Sequence, residues 1–215
     1  MIVDVTFVVA FAILAVADWV VIRRGEARLR PITKSLATVA LVAIASLVGD
    51  MAGDARAALI SAVVVCLVGD VFLLRGDDTS FLAGLGSFAL GHAAYVVTAL
   101  LVGVEWPRLA VALPFLAVVL GFQTATRMLA GALRHGGTAM MVAVAMYSGI
   151  ISAMVITATG TSSWVAAAGA MLFATSDSII GYNRFVRPVR HADLPIMVTY
   201  HTGQLLLILG LIGAG

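Results

Sequence analysis

Eight apolar runs, each about as long as a bilayer is thick, leave this chain few ways to fold. A helix needs ~20 residues to cross ~30 Å of hydrocarbon. The runs fall at about 3–22, 32–49, 57–74, 80–103, 109–129, 138–159, 164–182 and 194–213. Charged or Gly/Pro stretches separate them, among them Arg23 to Pro31, Gly49 to Arg56, Arg75 to Thr79, Glu105 to Arg108 and Gly131 to Gly137. Gly160 to Ser163 makes a short polar turn, and Asn183 to Asp193 a basic loop. None of the runs alternates as a membrane barrel requires. A chain that is 62% hydrophobic, 11% charged and +1.10 in mean hydropathy exceeds what a soluble core absorbs. The expectation is an all-α fold, a polytopic transmembrane bundle of eight helices forming one domain over residues 1–215. The N-terminus lacks a basic stretch and a small-residue cleavage site, so the first run reads as a retained span.

The net charge of +2 and isoelectric point near 9.0 matter less than where the charges fall. Loops after odd-numbered spans hold Arg23, Arg24, Arg28, Arg30, Lys34, Arg75, Arg127, Arg134, Arg184, Arg187 and Arg190, against Arg56 and Arg108 on the other side. Positive charge stays cytoplasmic, which places both termini on the far side. The surplus therefore reports orientation in an inner (plasma) membrane, and no nucleic-acid partner is expected. Trp19, Trp106 and Trp164 stand near span ends, where interfacial tryptophans belong. Cys66 lies within an apolar run and reads as a buried, inert thiol.

Two aspartates stand inside the runs. Asp70 follows Ala62 to Gly69, and Asp177 follows Ala166 to Ser176. A carboxylate in hydrocarbon costs roughly 2.5–3.5 kcal/mol on insertion scales, so it marks a task or a partner. Each is followed by a span bearing a histidine, His92 and His201. Counted from the basic loops at 1.5 Å per residue, all four groups lie between the cytoplasmic rim and the midplane. They are expected to share one polar pocket. Asp70 to His92 is 22 residues and Asp177 to His201 is 24, a spacing compatible with a parallel 4+4 repeat.

Helical spacing adds Tyr95 beside His92, and Tyr200 and Gln204 beside His201. Ala83, Ser87, Gly91 and Tyr95 form a stripe of small residues that admits a neighbouring backbone. Plainer readings stand beside these. The aspartates and histidines would also serve as packing contacts, Asp18 as a rim residue in reach of water, Asp4 as an outer-surface residue, and Lys34 as a snorkelling lysine. Arg184, two turns beyond Asp177, would pair with that carboxylate or bind lipid phosphate. No helix carries two metal ligands in register, and glycine-rich phosphate loops, haem motifs and Gly-x-Ser-x-Gly elbows are missing. No metal or cofactor is expected.

Four stretches together resemble the YhhN-like lysoplasmalogenase family. They are Leu67-Val-Gly-Asp-Val-Phe-Leu73, Gly84-Leu-Gly-Ser-Phe-Ala-Leu-Gly-His-Ala-Ala-Tyr95, Phe173-Ala-Thr-Ser-Asp-Ser-Ile-Ile-Gly-Tyr-Asn-Arg-Phe185 and Thr199-Tyr-His-Thr-Gly-Gln204. Thr33-Lys34 and Tyr147 also fit the pattern. The resemblance spans nearly the whole chain and implies an eight-span membrane hydrolase. Its substrate would be a lysoplasmalogen, a lysophospholipid whose vinyl ether is cleaved to a fatty aldehyde and glycerophosphocholine or glycerophosphoethanolamine. By position the acid pair would be Asp70 and Asp177. Lys34, His92, Tyr95, Tyr147, Asn183, Arg184, Tyr200, His201 and Gln204 would support it or hold the lipid. A proton-coupled transporter and a non-enzymatic lipid-binding protein are the alternatives; aldehyde release or uptake into proteoliposomes separates them.

Overall fold

A computed structural model describes residues 2–215, with only the helical backbone described for 2–4 and 119–125, so that the side chain of Asp4 lies outside it. Its long helices are α1 (Ile2–Arg24), α2 (Arg30–Leu47), α3 (Gly53–Leu73) and α4 (Asp78–Val102). After them come the short α5 (Trp106–Leu109), α6 (Ala112–Gln123), α7 (Leu129–Gly160), α8 (Trp164–Phe185) and α9 (Asp193–Ile212). Among the described residues, seven helices are long and apolar enough to cross a membrane. Along α1, Val5, Val9, Ile13, Val16 and Val20 are all exposed. A continuous apolar stripe of that kind faces lipid, since in water it would be an aggregation surface.

The fifth expected span is built from pieces. α6 runs into a π-helical stretch, Thr124–Met128, and from there into the first turns of α7. The chain reverses only at Gly136 and Gly137, whose backbone leaves the helix, with φ of 68° at Gly137. The expected loop from Gly131 is therefore two residues, not seven. Gly131 stays helical because it is a packing position. A Cβ there would lie 1.9 Å from the carbonyl oxygen of Phe185 in α8.

Two hairpins, α3–α4 and α8–α9, make the most extensive helix contacts. In α8–α9 the backbones nearly touch. A Cβ on Gly169 or Gly210 would come within 2.2 Å of a backbone nitrogen of the opposite helix, the close approach that small residues permit in membranes. In α3–α4, Gly91 sits over Cys66, which is buried and free as expected. α2 lies against α9, and α4 against α7.

The basic loops gather at one end of the bundle, tied by Arg30 to Asp193 (2.9 Å) and by Arg184 and His135 to Asp78. There Asp77 caps α4, accepting the Ser80 N–H at 2.8 Å, and that bond holds its carboxyl below the ordinary range. At the opposite end Arg56 donates to the carbonyls of Ala45, Val48 and Gly49. Arg108 donates to Thr161 and lies 4.4 Å over the ring of Trp164. Both cations on the charge-poor side are thus spent on chain ends.

Candidate active site

Asp70, near the end of α3, is sealed. Only 1% of it is exposed. Lys34 of α2 stands 2.9 Å from Oδ1, while Oδ2 accepts from Thr38 at 2.8 Å and from the Tyr200 hydroxyl of α9 at 2.7 Å. Lys34 does not snorkel as expected. Its side chain is only 8% exposed because the Asp70 carboxylate offers a stronger partner than the interface. One ion pair and two hydroxyl donors satisfy this carboxylate, as a buried charge demands.

Asp177, on α8, has a different setting. The Tyr147 hydroxyl of α7 donates to Oδ2, and His92 Nε2 of α4 lies 3.1 Å from the same oxygen and 3.0 Å from the Tyr147 hydroxyl. Oδ1 has no hydrogen-bond partner among the described residues. Asp177 lines a half-open apolar pocket between α4, α7 and α8, walled by residues such as Phe88, Leu116, Val144, Ile151 and Ile180. Among the described residues, Asp177 is the one charged side chain on that lining. Tyr147, Ser148, Ser152 and Ser178 also line the pocket, and an apolar chamber with a few convergent polar groups is the usual form of a small-molecule site.

The two acids do not share this cavity, contrary to expectation; Asp70 is not on its wall. Aromatic rings separate the clusters. Phe173 packs edge-on against His92 at 4.7 Å and against Tyr200 at 5.2 Å, and Phe88 packs against Phe173 at 6.3 Å. The two histidines divide as well. His92 serves Asp177, 85 residues away, and not Asp70. His201 serves neither acid; its Nδ1 accepts the Trp19 indole N–H at 3.1 Å. Trp19 therefore spends its polar edge inside the bundle, whereas Trp106 and Trp164 are exposed.

Other expected site residues divide likewise. Tyr95 and Gln204 are buried within the partition, and the Tyr95 hydroxyl and both Gln204 amide atoms lack hydrogen-bond partners among the described residues. Asn183 caps the loop, its Oδ1 accepting from the Val189 N–H at 2.7 Å. Arg184 pairs with Asp78, not with Asp177, because its side chain lies over Phe81 of α4, 3.9 Å from the ring. Asp18 is fully buried and not a rim residue, accepting from Thr33 at 2.6 Å. Sequence reading passed over Thr38, Asp78 and His135. Thr38 lies one turn beyond Lys34 and was legible only through it, while the other two stood among loop charges.

The fold and site define a polytopic helical membrane protein with one carboxylate exposed to an apolar chamber and another locked in a buried ion pair. The chain belongs to the YhhN family, whose sequence profile matches residues 29–211. It is 29% identical over 185 residues to lysoplasmalogenase TMEM86B of Sus scrofa, covering 83% of this chain and 73% of that one. The human protein of the same name is 31% identical over 159 residues, 70% of this chain and 62% of its own. A lysoplasmalogenase of Mycobacterium tuberculosis is 31% identical over 195 residues, 86% of this chain and 71% of that one. No solved structure matches significantly.

Proposed function

We propose that this chain is a membrane lysoplasmalogenase in which Asp177 performs the proton transfers and the Asp70–Lys34 pair holds the scaffold. The reading rests on one observation: a carboxylate with one oxygen unengaged among the described residues stands in the wall of a half-open apolar pocket. The alkenyl chain occupies the cavity, and the vinyl ether lies against Asp177. Protonated Asp177 gives its proton to the vinyl carbon β to the ether oxygen, leaving an oxocarbenium ion beside the new carboxylate. Water adds to the carbon attached to oxygen and returns a proton to Asp177. The hemiacetal then collapses as its hydroxyl proton leaves and the ether oxygen gains one. The carbon–oxygen bond breaks to give aldehyde and glycerophospho-alcohol, with one water consumed.

Paired-carboxylate hydrolases stabilise a comparable oxocarbenium-like transition state. Here the second acid contributes at a distance. Asp70 neutralises Lys34 and, through Tyr200 and Phe173, sets the wall behind His92. His92 and Tyr147 fix the carboxyl rotamer and bias its free oxygen toward substrate. The bundle sits in the plasma (inner) membrane with both termini outside, as the eleven-to-two charge bias supports. The site then opens toward the cytoplasmic leaflet.

Purified protein in detergent micelles, given a 1-alkenyl lysophospholipid, is expected to release fatty aldehyde, and to release none from the 1-alkyl analogue. Absence of aldehyde from the alkenyl lipid, with the protein folded, overturns the proposal. Solute uptake into proteoliposomes without aldehyde release would favour transport.

A further inference from the structure

The mouth of the cavity carries a charge cluster that the chemistry above leaves unused. Phe81 and Phe185 line the cavity and pack edge-on, 5.8 Å apart. Arg184 lies over Phe81 at 3.9 Å, and the His135 ring packs against Phe185 at 5.9 Å. Both side chains converge on a single atom, Asp78 Oδ1, which Arg184 Nη2 meets directly and His135 Nε2 meets at 3.0 Å. The Arg184 Nε–H is buried and has no partner among the described residues. The Asp78 carboxylate is 61% exposed, so solvent or a ligand reaches it freely.

We propose that Arg184, His135 and Asp78 form a head-group site for a zwitterionic phosphoester, one with a phosphate and an ammonium on the same short arm. This deepens the lysoplasmalogenase reading and rests on it for the identity of the chain in the cavity. In the empty protein Asp78 occupies the two donors that a phosphate would take. A phosphate entering with its lipid chain in the cavity meets Arg184 through two N–H groups, one of them the unspent Nε–H, and meets His135 through Nε2. A guanidinium recognises phosphate through such a fork, which a point charge cannot copy. Displaced from both side chains, Asp78 becomes an exposed anion next to the bound phosphate and pairs with the ammonium. One ion pair is exchanged for two, without a net charge left at the membrane surface. The aromatic pair beneath fixes both side chains at the mouth, so head-group and chain are registered together. A lysolipid lacking either charge loses one half of the exchange.

Binding of saturated 1-alkyl ether analogues, which are not cleaved, separates this from catalysis. Calorimetric titration would compare alkylglycerophosphoethanolamine, alkylglycerophosphate and alkylglycerol with wild type and variants. In Arg184→Gln the preference for alkylglycerophosphate over alkylglycerol is expected to fall about tenfold. His135→Gln, at a more exposed position, is expected to lower it a few-fold and serves if Arg184→Gln does not fold. Asp78→Asn is expected to lower the preference for the phosphoethanolamine over the bare phosphate. Preferences unchanged in all three variants, or alkylglycerol weakened as much as its phosphate, would overturn the proposal. Inorganic phosphate displacing neither phosphorylated lipid at equal concentration supports a lipid-borne ligand; efficient displacement would mark a free-phosphate site and overturn it. If these preferences shift as stated while alkenyl lipid yields no aldehyde, the head-group site stands and the hydrolytic reading falls.

Discussion

Asp70 and Asp177 are the same residue type at similar places in two glycine-packed hairpins, and the bundle treats them oppositely. Asp70 has both oxygens engaged, a lysine for a counter-ion, and 1% exposure. Asp177 has one oxygen shared by a tyrosine and a histidine, no lysine or arginine paired with it among the described residues, and a pocket in front. A buried carboxylate that is fully partnered is a brace; one left with a bare oxygen on an apolar wall is available for chemistry. Position within a span did not decide which is which. The helix opposite did, α2 bringing an ammonium to one acid and α7 a phenol to the other.

The largest effect expected of this asymmetry is on turnover. Asp177→Asn removes the proton donor and should lower aldehyde release about a thousandfold, with the melting temperature in detergent nearly unchanged. A loss under tenfold would mean that another group delivers the proton. On the Asp70 side the large effect is on stability. Asp70→Asn strands the Lys34 ammonium and should cost about 3 kcal/mol, most of it recovered when Lys34→Met is added. Denaturation of the single and double variants checks this, and no recovery would break the account of Asp70 as a brace.

The two tyrosines give a finer version of the same contrast. Tyr147→Phe takes the hydroxyl from Asp177 and should lower kcat about tenfold, the effect of losing one hydrogen bond to a charged group. Tyr200→Phe takes one of two hydroxyl donors from Asp70 and should cost about 1 kcal/mol of stability with a small change in kcat. Equal kinetic effects would erase the difference between the sites. The smallest effect lies at the rim. The Ser80 N–H holds the Asp77 carboxyl below its ordinary value, so its stabilising charge is present above the unfolded-state pKa and is lost as pH falls through the folded one. Asp77→Ala should therefore lower the melting temperature at neutral pH, and the gap should close in acid. A gap that persists at low pH would show that the cap does not act through its charge.

Much of this was readable from the chain, and what was not has a common cause. Span length and breakers announce helices because hydrocarbon thickness is fixed, and the seven long helices fall where the apolar runs do. The acids stood out because charge in hydrocarbon is rare. Contacts between spans were another matter. Depth along the spans suggested one pocket for Asp70, Asp177, His92 and His201, yet the rotation of each helix about its axis sends His92 to Asp177 and His201 to Trp19. A snorkelling lysine and a buried one look alike in sequence, and only the facing carboxylate distinguishes Lys34. Gly131 read as a turn because nothing local reveals the Phe185 carbonyl packed against it. Asp18 read as solvent-facing because its partner, Thr33, belongs to the next helix.

The claim on which the account turns is that Asp177 touches the substrate and Asp70 does not. Its most direct measurement is aldehyde release from a 1-alkenyl lysolipid by Asp177→Asn and by the charge-neutral pair Lys34→Met/Asp70→Asn, each normalised to folded protein. The account predicts that the first is inactive while the second retains turnover within about tenfold of wild type, since a removed brace costs positioning and not the proton donor. An inactive pair beside an active Asp177→Asn would contradict it.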